Sequence, residues 1–329
     1  MSDIKQVSSN FNRTNYKMAE FNLVKVDGKP LEKLIDVISK GIGTIYKPRA
    51  IRKEADAKAY EIEIIERAKS KALAEGKLIE VETLDKIQER IIYKETKRQL
   101  NIDNVTQIAA EQLSQEDFVS EEPVEEDWTT RFFNIVEDIS DEEMQRLWGK
   151  ILAGEVKQPK SYSLRTLELL KNLSRSEADV FNKISNFVIS SHNSPFLFQG
   201  ENDEILNKYN VNFNDRLLLV EMGLLQSDTS ISRGLKQNSQ DTITYFEAGN
   251  YIIKALKKAN TPENRIEIFR FTKIGEELLK LVNPIINEDY IKDFSIRLEK
   301  FGIEIEYAFI LKKTGGNISH TKPWLKFTK

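Results

Sequence analysis

Residues 127–173 read DWTTRFFNIVEDISDEEMQRLWGKILAGEVKQPKSYSLRTLELLKNL, and this stretch decides the fold class. It predicts three short helices in close succession. In the middle one, Ser140 followed three residues later by Glu143 has the form of a capping box, where hydroxyl and carboxylate satisfy backbone N–H groups left open at a helix start. Asp141 and Glu142 then fall where the helix dipole favours negative charge. Met144, Leu147, Trp148, Ile151 and Leu152 recur at spacings of three and four, which places them on one face. Gly154 is expected to stop the helix, because glycine tolerates the left-handed conformation of a C-terminal cap. Upstream, Trp128, Phe132, Val136 and Ile139 form a matching stripe. Downstream, Pro159 ends the connector, Ser163 caps, and Leu164, Leu167, Leu170 and Leu173 continue the pattern. A second capping box, Ser174 with Glu177, opens a fourth helix carrying Ala178, Phe181, Ile184 and Val188. The tryptophans and leucines of this array are read as buried supports.

Toward the N-terminus, residues 1–26 are polar, rich in Ser and Asn, and read as a mobile segment, with Met18 a second candidate start. Residues 27–113 read as an amphipathic segment followed by a charged helical arm. Pro30 suits the first turn of a helix, after which Leu31, Leu34, Ile35, Ile38, Ile42 and Ile45 share a face, with Gly41 and Gly43 leaving a small-residue notch. The plainer expectation is a helix docked on the protein's own body. The sharper one is a partner- or membrane-binding face made by Leu31, Leu34, Ile38, Ile42 and Ile45, although its polar side has few of the bases that favour lipid surfaces. Residues 50–100 are dense in charge of nearly balanced sign, and Leu84, Ile87, Ile91 and Leu100 form only a narrow apolar seam. A narrow seam on long helices predicts a hairpin or a coiled coil between copies. Asn101 and Asp103 are read as a break before a further helix. Residues 114–127 are acidic and interrupted by proline, which predicts a linker.

Beyond residues 128–200, the central helical domain, the period changes. His192 to Pro195 reads as a loop and Phe196 to Phe198 as a short strand. Asn214 is expected to cap a helix stopped by Gly223, and TITYFEA, YIIKAL and RIEIFRF read as three strands. Thr272 caps another helix, and a final helix and strand follow. The fold class is therefore mainly α with a smaller α+β C-terminal part, residues 201–311 being winged-helix-like. Residues 312–329 form a basic tail.

Composition narrows the chemistry. A net charge of −3 argues against a generally basic nucleic-acid binder. The absence of cysteine removes thiol nucleophiles, disulfides and thiolate metal sites. Only His192 and His320 are present, which disfavours histidine metal sites and most catalytic triads. No run approaches the roughly 18 apolar residues of a membrane span, so a cytoplasmic protein is expected. Glu142, Glu143 and Glu155 are the carboxylates weighed as a group in the central stretch, and helix capping explains the first two better than acid–base chemistry. No catalytic, cofactor-binding or metal-binding constellation is read, no cofactor is expected, and the protein is expected not to be an enzyme. Gln145 and Arg146, off the apolar face, are read as a partner contact. For nucleic acid, the residues that would contact phosphates are Arg265, Arg270 and Lys273 in the wing and Lys312 and Lys313 in the tail.

The run SDEEMQRLWGKILAGEV, then the segment containing YSLRTLELLKNLS, resembles the central signature of DUF2806, a family of uncharacterised bacterial proteins. The likeness extends to KPLEKLIDVISKGIGTIYKPRAIRKEADAKA, KRQLNIDNVTQIAAEQL and FRFTKIGEELLKL. It implies a bacterial soluble protein and supplies no activity. The layout is also similar to that of abortive-infection alpha proteins, which implies antiviral defence. The functional expectation is a non-enzymatic bacterial interaction protein, an anti-phage sensor or scaffold that self-associates through its helical arm, its protein partner unidentified. The alternatives are a nucleic-acid-binding regulator using the winged-helix-like region, and a peripheral membrane effector using the N-terminal amphipathic segment.

Overall fold

The computed structural model describes residues 28–42, 63–200, 204–228, 231–314 and 317–327. The expected mobile segment 1–26 and the contact residue Ile45 lie outside the described residues. The chain is mixed α+β and divides into two compact units, Met1–Lys160 and Ser161–Lys329. The division falls inside the stretch read as one central helical domain.

In the first unit, α1 (Lys29–Ile42) lays Leu31, Leu34, Val37 and Ile38 into the core. Helix α2 (63–74) and helix α3 (Leu78–Leu113) form a hairpin whose turn is closed by Gly76 at φ +68, with Lys77 N–H donating to the Ala72 carbonyl at 2.8 Å. Helix α3 is continuous for 36 residues, so the expected break at Asn101 does not occur. The reason is tertiary. Asn101 is buried, and its amide donates to the Glu137 carbonyl at 2.8 Å and accepts from the Gln145 amide at 3.2 Å. A polar residue that would weaken an isolated helix is here held by partners outside it.

Helices α4 (Glu126–Val136) and α5 (Glu142–Lys157) complete this core. Trp128 stacks on Phe132 at 5.0 Å between ring centroids, and Phe132 meets Trp148 edge-on at 5.6 Å. Trp148 is fully buried, and its indole N–H meets no acceptor among the described residues. Two details of α5 differ from expectation. Its N-cap is Asp141, whose carboxylate accepts from Met144 N–H at 2.9 Å, and Ser140 instead receives a hydrogen bond from Asn101. Gly154 lies within the helix, which runs on to Lys157. The glycine that matters is Gly149, where a Cβ would lie 2.5 Å from Ile108 of α3. Its bare backbone lets α3 and α5 pack closely.

The acidic segment 114–125 packs into this unit instead of spanning open solvent. Val119 and Val124 are buried, Ser120 N–H donates to the Lys157 carbonyl at 2.9 Å, and Lys33 donates to the Ser120 carbonyl at 2.7 Å. Its carboxylates find cations on either side, Glu116 with Lys157 and Glu121 with Lys29.

The second unit opens with α6 (Leu164–Asn172), capped by Ser163, and α7 (Arg175–Ser185), opened by the expected Ser174–Glu177 capping box. Strands β1 (Val188–Ser191) and β2 (Ser194–Phe198) form a hairpin across His192 and Asn193, both at positive φ, as a two-residue turn between twisted strands requires. Helices α8 (Glu204–Lys208) and α9 (Phe213–Glu221) follow. Asn212, not Asn214, caps α9, in a reciprocal box with Asp215. Then come β3 (Ser232–Leu235), β4 (Thr242–Ala248), β5 (Tyr251–Lys257), β6 (Asn264–Arg270), α10 (Lys273–Leu279), α11 (Glu288–Lys300), β7 (Ile303–Thr314) and β8 (Asn317–His320). All eight strands join one antiparallel sheet in the order β3-β6-β2-β1-β4-β5-β7-β8. Phe196, Phe198 and Phe246 of the sheet pack around Phe294 of α11 at 5.1–6.3 Å. Tyr290 of α11 anchors β2 by accepting from Phe198 N–H and donating to its carbonyl.

Candidate functional site

Among the described residues, the length of α3 before Asn101 carries large side chains that internal packing does not account for. The buried face of this helix begins at Asn101. Before that point α3 has α2 alongside, with Ile65 and Ala72 buried and Leu84, Ile87 and Ile91 half-buried in the seam. Lys69 of α2 reaches across to Asp85 at 2.7 Å. The side of α3 turned away from this seam carries Ile79, Lys86, Tyr93 and Leu100, seven residues apart. That interval drifts by only ~20° per step around a helix, so the four form one line. Ile79 is 81 % exposed, Tyr93 68 % and Leu100 55 %. Leu100, expected in the inner seam, belongs to this outer line.

The charges beside the line differ from those of the seam. Lys69, Lys77 and Arg98 are paired within the chain, Arg98 with Glu95, Glu137 and Asp138. Glu82, Lys86, Glu89, Arg90 and Lys97 are exposed and make no ion pair with any described residue. Burial explains the pairing of Lys69, whose side chain is largely covered at the seam and needs a partner, whereas a charge on the outer line is hydrated.

The amphipathic face of α1 is used differently. Leu31, Leu34 and Ile38 are buried in the first unit, and Ile42 is half-buried. A Cβ on Gly41 would lie 2.1 Å from the Phe133 ring and 2.7 Å from Thr129, so the expected notch is filled by α4. The apolar stripe therefore faces the protein's own core.

The basic residues named for nucleic acid are spread over the sheet. Arg265 and Arg270 lie on β6 and Lys273 begins α10, whereas Lys312 and Lys313 lie on β7, five strand intervals away from β6 in the sheet order. Arg265 pairs with Glu263 at 3.3 Å, Lys273 reaches Glu277 at 3.8 Å, and Lys313 pairs with Glu247.

Gln145, expected to face a partner, is buried. Its amide donates to Asn101 and to the Ile139 carbonyl and accepts from Asn104. The carboxylates near the central stretch are not brought together either. Glu142 and Glu143 are exposed at the start of α5, with Glu142 paired to Arg146, while Glu155 is buried three turns on and accepts from Lys160 N–H at 2.6 Å. A second buried carboxylate, Glu277 of α10, was not singled out by sequence. It accepts from Ser163 N–H at 2.7 Å and from the Thr166 hydroxyl, capping the start of α6 from a distance. Among the described residues no group of three or more His, Asp and Glu is arranged to hold a metal ion, and no helix is long and apolar enough to cross a membrane.

A cavity of about 190 Å³ opens between β3, β4 and β5, with Arg233, Lys236, Thr242 and Lys257 in its wall and His192 at its rim. Lys257 is buried and its ammonium is saturated, donating to the carbonyls of Leu235, Lys236 and Pro262. Burial pushes its pKa down. This clamp holds the ends of β5 and β3 together although they are not neighbours in the sheet. Arg233 lies over the rings of Phe196 and Phe246 at 5.6 and 5.8 Å, and burial, with the charge of Arg270, lowers its pKa. Both cations are thus part of the sheet's construction.

Comparison with known proteins is informative at the family level. No match is found among curated proteins or among solved structures. A family model described as a protein of unknown function (DUF2806) matches residues 85–295, from within α3 to within α11. With more than half of its length inside that match, the chain belongs to the DUF2806 family.

Proposed function

We propose that the protein is a non-enzymatic interaction protein that assembles with copies of itself through the outer face of its helical arm. The observation that carries this reading is the line Ile79, Tyr93 and Leu100, large apolar side chains on a well-formed helix with nothing of the described chain over them. Isolated exposed apolar residues are ordinary, but an aligned set on a helix face that no described residue covers is the pattern of a helix-to-helix contact. The absence of chemistry from the proposal is supported by the structural use of the buried carboxylates, since Glu155 accepts from Lys160 N–H and one oxygen of Glu277 accepts from Ser163 N–H.

The setting proposed is bacterial defence against phage of the abortive-infection kind, with the protein as sensor or scaffold in the cytoplasm. The layout shared with abortive-infection alpha proteins supports it. The experiment has two readouts in one strain. Two differently tagged copies are co-expressed, one is captured and the other is sought, and phage plaquing is counted with and without the gene. Co-capture that is lost on Ile79→Asp with Tyr93→Asp, together with reduced plaquing that the same variant restores, is the expected result. Absence of co-capture refutes the assembly, and unchanged plaquing refutes the setting.

The alternative is a nucleic-acid-binding regulator using a winged-helix-like region. In its favour stand Arg270, exposed on β6, and Lys312, exposed on β7. Against it, Arg265, Lys273 and Lys313 face carboxylates. Phosphate contacts would give a steep fall of affinity with salt, so a gel shift that is empty at low salt removes this alternative. A peripheral membrane role through α1 would require Leu31, Leu34 and Ile38 to leave the core, and liposome co-sedimentation tests it.

A further inference from the structure

We infer that two copies pair antiparallel along the outer face of α3, about a two-fold axis between Glu89 and Arg90, placing Ile79 against Leu100 and Glu82 against Lys97 of the second copy. This rests on the self-association proposed above and specifies its geometry.

Charge order along α3 sets the direction of the pair. From Leu78 to Glu89 the helix carries Glu80, Glu82, Asp85 and Glu89 against the single base Lys86, whereas from Arg90 to Asn101 it carries Arg90, Lys94, Lys97 and Arg98 against the single acid Glu95. A parallel pair would set Glu82 on Glu82 and Lys97 on Lys97. An antiparallel pair sets the acidic half of each helix on the basic half of the other. Like charges across a helix pair destabilise it and opposite ones support it, so direction follows from sequence.

Register follows from the outer face alone. The eight residues Ile79, Glu82, Lys86, Glu89, Arg90, Tyr93, Lys97 and Leu100 fall within about 100° of arc on a helix of ~3.6 residues per turn, and all eight are exposed. Folded about the point between Glu89 and Arg90, every one of them meets a suitable partner. Ile79 meets Leu100, Glu82 meets Lys97, Lys86 meets Tyr93 as a cation over a ring, and Glu89 meets Arg90. Two-fold symmetry makes each pairing occur twice. Shifting one helix by a turn breaks the match, since Glu82 then moves off Lys97 and Ile79 off Leu100.

The fold supports the same extent. The stretch from Ile79 to Leu100 is ~32 Å of helix at ~1.5 Å per residue. It begins beside the Gly76 turn at the tip of the hairpin and ends where the buried face of α3 starts at Asn101. An overlap from 79 to 100 therefore uses the whole free length of the arm. The charges in the proposed pairs are also those that make no ion pair with the described residues of their own chain.

Charge reversal and cross-linking on the full chain test the pairing. Lys97→Glu alone and Glu82→Lys alone each create like-charge contacts twice over, and each is expected to weaken the dimer about ten-fold in sedimentation equilibrium. The double variant Glu82→Lys with Lys97→Glu restores opposite charges across the axis and is expected to recover the wild-type dimer. Because the natural chain has no cysteine, Ile79→Cys with Leu100→Cys gives a clean second readout. Oxidation is expected to join position 79 to position 100 of the other copy, read by peptide mapping. Links of 79 to 79 and 100 to 100, or a double charge variant no better than the single ones, overturn the antiparallel register while leaving self-association standing. A wild-type chain that is monomeric throughout overturns both.

Discussion

At Gly149 a single missing methyl group sets the distance between two helices. A Cβ there would lie 2.5 Å from the Ile108 side chain and 3.2 Å from the Val105 carbonyl, so Gly149→Ala must push α5 away from α3. Over-packing of this kind costs about 1–3 kcal/mol, and urea denaturation should show that loss without a change in slope. In the sequence Gly154 is singled out, whereas Gly149 lies inside the LWGKIL run. Its purpose depends on knowing that α3 lies against it, which no local pattern records. Tyr209 gives a second residue-scale test. Burial, and then the carboxylate of Asp293, raise its pKa from 10.0 to about 12. A raised folded-state pKa favours the protonated form in the fold, so this contribution to stability is complete below pH 10 and lost as pH rises toward 12. Tyr209→Phe removes the titration, and its stability measured by denaturant should fall less steeply than that of the natural protein across that interval. Equal slopes would contradict the assignment.

Among the elements, the amphipathic helices were the most legible. Stripes such as Trp128–Phe132–Val136 and Leu167–Leu170 announce buried faces, and Ser163, Ser174 and Thr272 cap the helices they were expected to cap. Local chemistry suffices there, because a cap acts within one turn. Strands β1 and β3 were not legible. Val188 continued the helical stripe read for α7 although that helix ends at Ser185, and SRGL has no β-branched or aromatic residue; both strands are recruited by pairing, β1 with β2 and β3 with β6. The continuity of α3 was hidden for the opposite reason, since Asn101 looks like a breaker until Gln145 of another helix satisfies it. This yields an element-scale prediction. Asn101→Leu leaves the buried Gln145 amide short of an acceptor and should cost about 1–3 kcal/mol, whereas Asn101→Leu with Gln145→Leu removes both partners and should recover much of that loss. Additive losses in the double variant would refute a shared network. Of the site residues read from sequence, α1 was foreseen as a docked helix, but Leu100 was assigned to the wrong side of α3. A hairpin consumes one face, and which apolar residues remain outside it depends on how α2 lies.

At the scale of the whole molecule, the order of parts, a helical front with a charged arm and an α+β end, was readable from the change of hydrophobic period along the chain. The place where the two compact units divide was not, because Lys160 and Ser161 sit in a connector whose neighbours share one helical pattern. The proposed self-assembly belongs to this scale, since it concerns a second copy of the chain. Family membership in DUF2806 fixes kinship and leaves the activity to experiment. The most direct measurement is sedimentation equilibrium of the intact chain over a wide range of concentration. A reversible rise in mass from 38.0 kDa toward twice that value, abolished by Ile79→Asp with Tyr93→Asp, is the expected result. A mass that stays at 38.0 kDa at every concentration would contradict it.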